Sequence, residues 1–263
     1  MSIEMILAAV APAAPENKFG FIEAMEQGGP IAWSILAVLV IQSIGSFYIL
    51  FTKLFEQKKV MKQAEDARAV WRSNGLSDGA KKLDKHSAYR QLVDDGLDAQ
   101  RHHGDLKDPV EAHDWLHGAM SRSEESINDK LASGLPFLAT VGATAPFVGL
   151  LGTVVGIYRA LIAIGLAGQA SLDAVAGPVG EALIMTAIGL FVAVPAVFAY
   201  NWLQSRNKTI ARSLSAFSND VLGYITSDGK VKPVVAPVGA AKVAPKAPVT
   251  KTAGQAGGTQ VKK

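Results

Sequence analysis

The sequence contains no cysteine, which excludes disulfides, thiol catalysis and cysteine-bound metals. It also has no phosphate-binding GxxxxGK[ST] loop and no GxGxxG dinucleotide fingerprint, so nucleotide hydrolysis and hydride transfer have no visible machinery. The formal net charge of +3 is too small to argue for a nucleic-acid partner. Charge is missing most of all from two long stretches. Residues 30–52 carry none, and between Leu131 and Ser205 only Arg159, Asp173 and Glu181 are charged. Apolar runs of about 20 residues or more are long enough to cross a bilayer as a helix.

Three spans follow. The first is 30–52, with Pro30 in its first turn and Trp33 and Tyr48 as interfacial anchors; Gln42, Ser43 and Ser46 are its polar side chains, expected to bond local backbone. The second is 131–165, part of which extends beyond the lipid. Its centre, GATAPFVGLLGTVVG, places Gly142, Ala145, Gly149, Gly152 and Gly156 three or four residues apart, in one stripe. In hydrocarbon, helices associate through close backbone approach, which small residues permit, so the stripe predicts contact with another helix. Pro136 and Pro146 predict bends. The third span, 179–203, follows Pro178 and carries a matching stripe at Ala182, Thr186, Gly189, Ala193 and Ala196. Two such stripes predict two helices packed together, within one subunit or between subunits.

The remaining chain divides around these spans. Residues 1–29 read as an arm, its apolar start a loose segment in preference to a signal peptide, followed by a short amphipathic helix ended by Gly28-Gly29. Residues 53–130 form a polar lobe of helical extensions. The first helix continues to about Arg72, a second covers Ala80 to His102, and a third starts at DPVE with Asp108 as N-cap. Leu116, Met120, Ile127, Leu131 and Leu135 carry one apolar stripe from that helix into the second span. Residues 166–178 form a loop, 204–227 a helix, and 228–263 a disordered basic tail attracted to anionic phospholipid. His113 and His117 are four apart, a metal-compatible spacing, but no HExxH accompanies them, so they read as solvated and no metal or cofactor is expected. Lys and Arg number fourteen in 53–130 and ten from Arg206 onward, against one before the first span. The positive-inside rule then puts the N-terminus outside, and the lobe and C-terminus inside.

The candidates for chemistry are few. Glu181 lies in the first turn after Pro178, where a carboxylate favours the helix dipole; embedded deeper, it would have to face a partner or water. Thr153 and Thr186 are expected to bond the carbonyl one turn back. Arg159 is expected to extend toward the headgroups. At roughly 100° per residue, Glu181 and Thr186 stand about 140° apart around their helix, so one narrow axis cannot be faced squarely by both.

The stretches LPFLATVGATAPFVGLLGTVVGIYRALIAIG and GPVGEALIMTAIGLFVAVPAVFAYN closely resemble the ExbB/TolQ branch of the proton-channel family that also includes MotA, and the Ala-rich N-terminal extension is more similar to ExbB. The resemblance implies an all-α membrane protein with three transmembrane helices and long cytoplasmic extensions, assembled as a homo-oligomeric, pentameric ring in the bacterial inner membrane. It implies a motor subunit, not an enzyme. The ring would surround an ExbD dimer, pass protons past that partner's embedded aspartate, and drive TonB, which energises outer-membrane uptake of siderophores, vitamin B12 and similar cargo. By motif position the family's pore-lining threonines fall on Thr153 and Thr186, its glutamate on Glu181 and a recurrent proline on Pro146; Arg159 departs from the uncharged or weakly basic residue expected there. A TolQ-like role with TolR and TolA in the Tol–Pal system is the alternative. Three spans disfavour a MotA-like stator, and a secondary transporter would show an inverted repeat or a second intramembrane charge.

Overall fold

The computed structural model describes residues 21–73, 75–105, 111–167 and 172–233. The apolar start of the chain, the expected cap at Asp108, part of the loop at 166–178, and the tail from 234 lie outside the described residues. Six α-helices and one 3-10 turn make up the rest: α1 (Phe21–Ala67), the turn Arg68–Arg72, α2 (Leu76–Lys81), α3 (Ala88–His103), α4 (Ala112–Ala132), α5 (Leu135–Ala167) and α6 (Leu172–Thr226). No strand occurs among the described residues.

Three helical stretches are long and apolar enough to cross a membrane, within Gly28–Arg72, Ala112–Leu166 and Gly177–Thr226. Their outward faces carry large exposed side chains, among them Ile44, Phe147, Leu161, Phe191 and Phe198. A continuous apolar surface of this kind is a liability in water and matches lipid tails. The chain is therefore a membrane protein.

Inside the bundle of α1, α5 and α6, Ile35, Leu39, Val141, Ala145, Met185 and Ala196 form the core. The two small-residue stripes meet here within one chain. A Cβ placed on Gly149 would stand 2.8 Å from the Met185 carbonyl oxygen, and one on Gly189 would stand 2.7 Å from that of Ala145. Gly152 admits the Met185 side chain and Gly156 admits Ala182 in the same way. Gly142 takes the Val197 side chain, and Ala182 and Ala193 are both buried.

Beyond the apolar segments, α1 and α6 continue and clasp α2, α3 and α4 in a second core. The stripe Leu116, Met120, Ile127, Leu131 and Leu135 is buried throughout. Trp71, Tyr89, Phe217 and Tyr224 form an aromatic cluster, with Tyr89 edge-on to Phe217 at 5.2 Å. Burial pushes the Tyr89 phenol above its ordinary range, and its hydroxyl stays 2.9 Å from that of Ser213.

Three breaks differ from a reading of uninterrupted helices. The first helix tightens into the 3-10 turn after Ala67. The segment 80–102 splits because the Asp84 carboxylate accepts from the His86 N–H at 2.9 Å and its carbonyl accepts from Ser87 N–H, a local turn that competes with helix. The stripe into the second span is interrupted at Ser133-Gly134, where Gly134 adopts φ +81°, a conformation that favours glycine; Pro136 is thus in the opening turn of α5, where its missing N–H costs little.

A buried polar joint fixes this break to its neighbours. Lys53 of α1, 8% exposed, donates to the Lys130 carbonyl at 2.7 Å, to Ser133 Oγ at 2.9 Å and to Glu56 at 2.6 Å. One turn on, Gln57 Nε2 donates to the Leu203 carbonyl and to Asn207 Oδ1, and Asn207 Nδ2 donates to the Leu131 carbonyl at 3.0 Å. These bonds tie α1, α4 and α6 where the bundle meets the lobe.

Two outcomes are expected from thermal unfolding of the detergent-solubilised protein followed by circular dichroism. Gly189→Ala forces backbone against backbone and lowers stability by about 1–3 kcal/mol, whereas Gly165→Ala, with open space around it, is neutral or slightly stabilising. Lys53→Met, which strips charged hydrogen bonds from the joint, costs about 2 kcal/mol.

Candidate functional site

The close approach of α5 and α6 determines where the hydroxyls lie. With no side chain at Gly149, its carbonyl is open to the neighbouring helix, and Thr186 Oγ1 of α6 reaches across to it at 3.4 Å. Thr186 thus departs from the expected bond to its own preceding turn. Thr153 keeps to its own helix and donates to the Leu150 carbonyl at 2.6 Å. Gly149 is one turn before Thr153, so the two threonines border the same stretch of α5. Thr140 and Thr144 stand on another face of α5, about 140° and 180° around the helix from Thr153, and bond the Pro136 and Thr140 carbonyls of their own helix at 2.9 and 2.8 Å. A hydroxyl bonded through its hydrogen keeps its lone pairs, so this seam can still accept from water or a protonated carboxyl.

On the lobe side of the bundle lies a cleft of about 620 Å³ lined by Leu135, Pro136, Thr140, Tyr200, Gln204 and Asn207. Gln204 Nε2 donates to the Tyr200 hydroxyl at 3.1 Å. The cleft therefore combines apolar walls with amide and phenol groups. Nothing in the residue spacing singled out Tyr200, Gln204 and Asn207; their position in the last turn of the third span and just past it is the signal that marks them, as polar side chains at the end of the apolar stretch of the stripe-bearing helix.

Glu181 is not brought to the threonines. Its side chain is 4% exposed and turns toward α1, where Oε1 occupies the space that a Cβ on Gly28 would fill. The angular separation of Glu181 and Thr186 on α6 is thus realised as two different neighbours, α1 for the carboxylate and α5 for the hydroxyl. Arg159 of α5 does not run out to solvent; its guanidinium donates to the carbonyl of Gly28, the residue against which the Glu181 carboxylate packs. Pro146 sits within α5, where it cannot donate to the Gly142 carbonyl.

Elsewhere the residues offer less. The His113 and His117 rings stack at 6.2 Å on an exposed face, and no group of three or more His, Asp or Glu side chains converges on a metal position among the described residues. The string GLSDG at 75–79 has the spacing of a nucleophile turn, but it leads from the 3-10 turn into the six-residue α2 and follows no strand among the described residues.

The site the described residues offer is an apolar bundle with hydroxyls at its α5–α6 contact. Comparison with known proteins gives the family. Residues 84–216 match the model of the MotA/TolQ/ExbB proton channel family. The chain is 37% identical over 250 residues to the biopolymer transport protein ExbB of Xanthomonas campestris, covering 87% of this chain and 99% of that protein. It is 35% identical over 203 residues to ExbB of Neisseria meningitidis, covering 74% and 92%. A shorter region, 102 residues, is 48% identical to the Tol-Pal system protein TolQ of Pseudomonas aeruginosa, covering 39% and 42%. The chain belongs to the MotA/TolQ/ExbB proton channel family.

Proposed function

We propose that the chain is the ring-forming proton-channel subunit of an ExbB–ExbD–TonB motor, coupling the proton motive force to TonB-dependent outer-membrane uptake of siderophores, vitamin B12 and similar cargo. It is a bacterial inner-membrane protein with a periplasmic N-terminus, a cytoplasmic lobe and a cytoplasmic C-terminus. It acts without enzymatic turnover. A pentamer encloses an ExbD dimer, and the basic C-terminal region lies near anionic phospholipid. The observation that carries this reading is the extent of similarity, which runs through 99% of the Xanthomonas ExbB and only 42% of the Pseudomonas TolQ.

The chemistry of the seam supports it. A carboxyl that cycles between protonated and ionised forms needs neighbours that both donate and accept, and the hydroxyls of Thr153 and Thr186 do both. Each proton crossing the membrane potential releases about 2.3 kcal/mol per 100 mV, so a few protons drive a conformational step without a nucleotide. In this arrangement the carboxyl comes from the partner's helix, because the chain's own Glu181 is committed to α1.

A TolQ-like role is the second reading, favoured by the higher local identity over 102 residues. The two make different demands on partners. Affinity purification of the chain from its native membrane is expected to bring down ExbD and TonB; recovery of TolR and TolA in their place selects the second reading. Thr153→Ala and Thr186→Ala, each in assembled complexes, are expected to reduce TonB-dependent siderophore uptake to background. Uptake at wild-type rates in both variants removes these hydroxyls from the proton path.

A further inference from the structure

The end of the bundle remote from the lobe holds a cluster that the hydroxyl seam does not use. α1 is interrupted at Gly29, whose φ of +61° and ψ of −157° lie outside the helical region. Pro30 follows and has no N–H to give. The break strips the carbonyls of the preceding turn of their helical donors, leaving a helix end that needs satisfying from outside. Gly28 is at that end, and its carbonyl accepts from the Arg159 guanidinium of α5. The same guanidinium passes Gly29 so closely that a Cβ there would stand 3.6 Å from it. Glu181 of α6 also packs its carboxylate against Gly28. One turn earlier, Met25 is fully buried in the same core cluster as Met185, while Ile22 and Glu26 are exposed.

Three helices therefore converge on one glycine, and their charges are complementary. The carbonyl end of the short helical segment 21–28 is the negative end of its dipole, Glu181 is a buried carboxylate packed on that end, and Arg159 is the cation bonded to it. Guanidinium is suited to this place because its planar fork bonds a carbonyl while remaining close to a second anionic group. Glycine at 28 is required for the same reason, since any side chain would displace the carboxylate.

We propose that Arg159 is a positioning residue that latches segment 21–28 across Glu181, closing this end of the bundle and holding the buried carboxylate against α1. The latch follows from the geometry alone; its importance for uptake rests on the motor reading above.

The absence of cysteine makes a clean test available, because the thiol introduced by Met25→Cys is then the sole one in this chain. Full-length protein, purified with its partners into lipid nanodiscs, is treated with a hydrophilic maleimide, and amide exchange of residues 21–28 is followed in the chain without the thiol. With Arg159 present the thiol is protected. Arg159→Gln is expected to raise its labelling rate about tenfold, in keeping with loss of a charged hydrogen bond, to speed exchange across 21–28, and to lower siderophore uptake. Arg159→Lys keeps a cationic donor and stays within about threefold of wild type on all three readouts. Unchanged protection and exchange in Arg159→Gln overturn the latch, even if uptake falls. An opened segment with normal uptake overturns its positioning role. Neither outcome touches the motor reading, which stands or falls with Thr153 and Thr186.

Discussion

The contact on which the rest of the molecule depends is the meeting of α5 and α6 backbones at Gly149 and Gly189. With Met185 and Ala145 carbonyl oxygens within 3 Å of where side chains would begin, neither helix can rotate or slide without a collision. That constraint sets the register of everything else on the pair. It brings Thr186 to a carbonyl of the neighbouring helix, turns Glu181 toward α1, and places Tyr200 and Gln204 opposite the start of α5. In a bilayer, where apolar burial gives no drive for helices to associate, close packing of this kind is the main source of specificity.

The same two ends of the chain serve both halves of the structure. Beyond its Gly29 break α1 runs on to Ala67, and α6 runs 55 residues; at about 1.5 Å per residue each extends well past a hydrocarbon core of about 30 Å. The Lys53, Gln57 and Asn207 joint ties these long helices to the start of α5 through the Ser133-Gly134 break. A displacement beside the seam therefore reaches the lobe through continuous helix. At the other end the Arg159 cluster couples α5 and α6 to the segment ahead of Gly29, so the bundle is fastened at both ends by buried polar bonds and in the middle by glycine.

Much of this was legible in the residues. Spans are readable because lipid imposes a length and forbids charge, and the two small-residue stripes are readable because helical periodicity puts them on one face. The contact partners of the polar groups were legible only in part: Thr153 and Ser46 bond the preceding turn of their own helices as expected. Thr186 reaches across to α5 only because Gly149 leaves its carbonyl open, which depends on how two distant segments meet. Arg159 reads as an interfacial arginine until the Gly29 break supplies a carbonyl for it. The Asp84 turn and the Gly134 break depend on single side-chain or backbone choices that a periodic pattern does not record. The assignment to the MotA/TolQ/ExbB family agrees with the resemblance carried by the last two spans.

In the proposed motor the α5–α6 seam of this chain works against a carboxyl-bearing helix from another protein inside a ring of identical subunits. Native mass spectrometry of the complex extracted from its own membrane measures this directly. Several copies of the 27.7 kDa chain bound to fewer copies of a smaller membrane protein are expected. A mass corresponding to the chain alone, as a monomer or as a closed ring with no second component, would contradict the proposed motor.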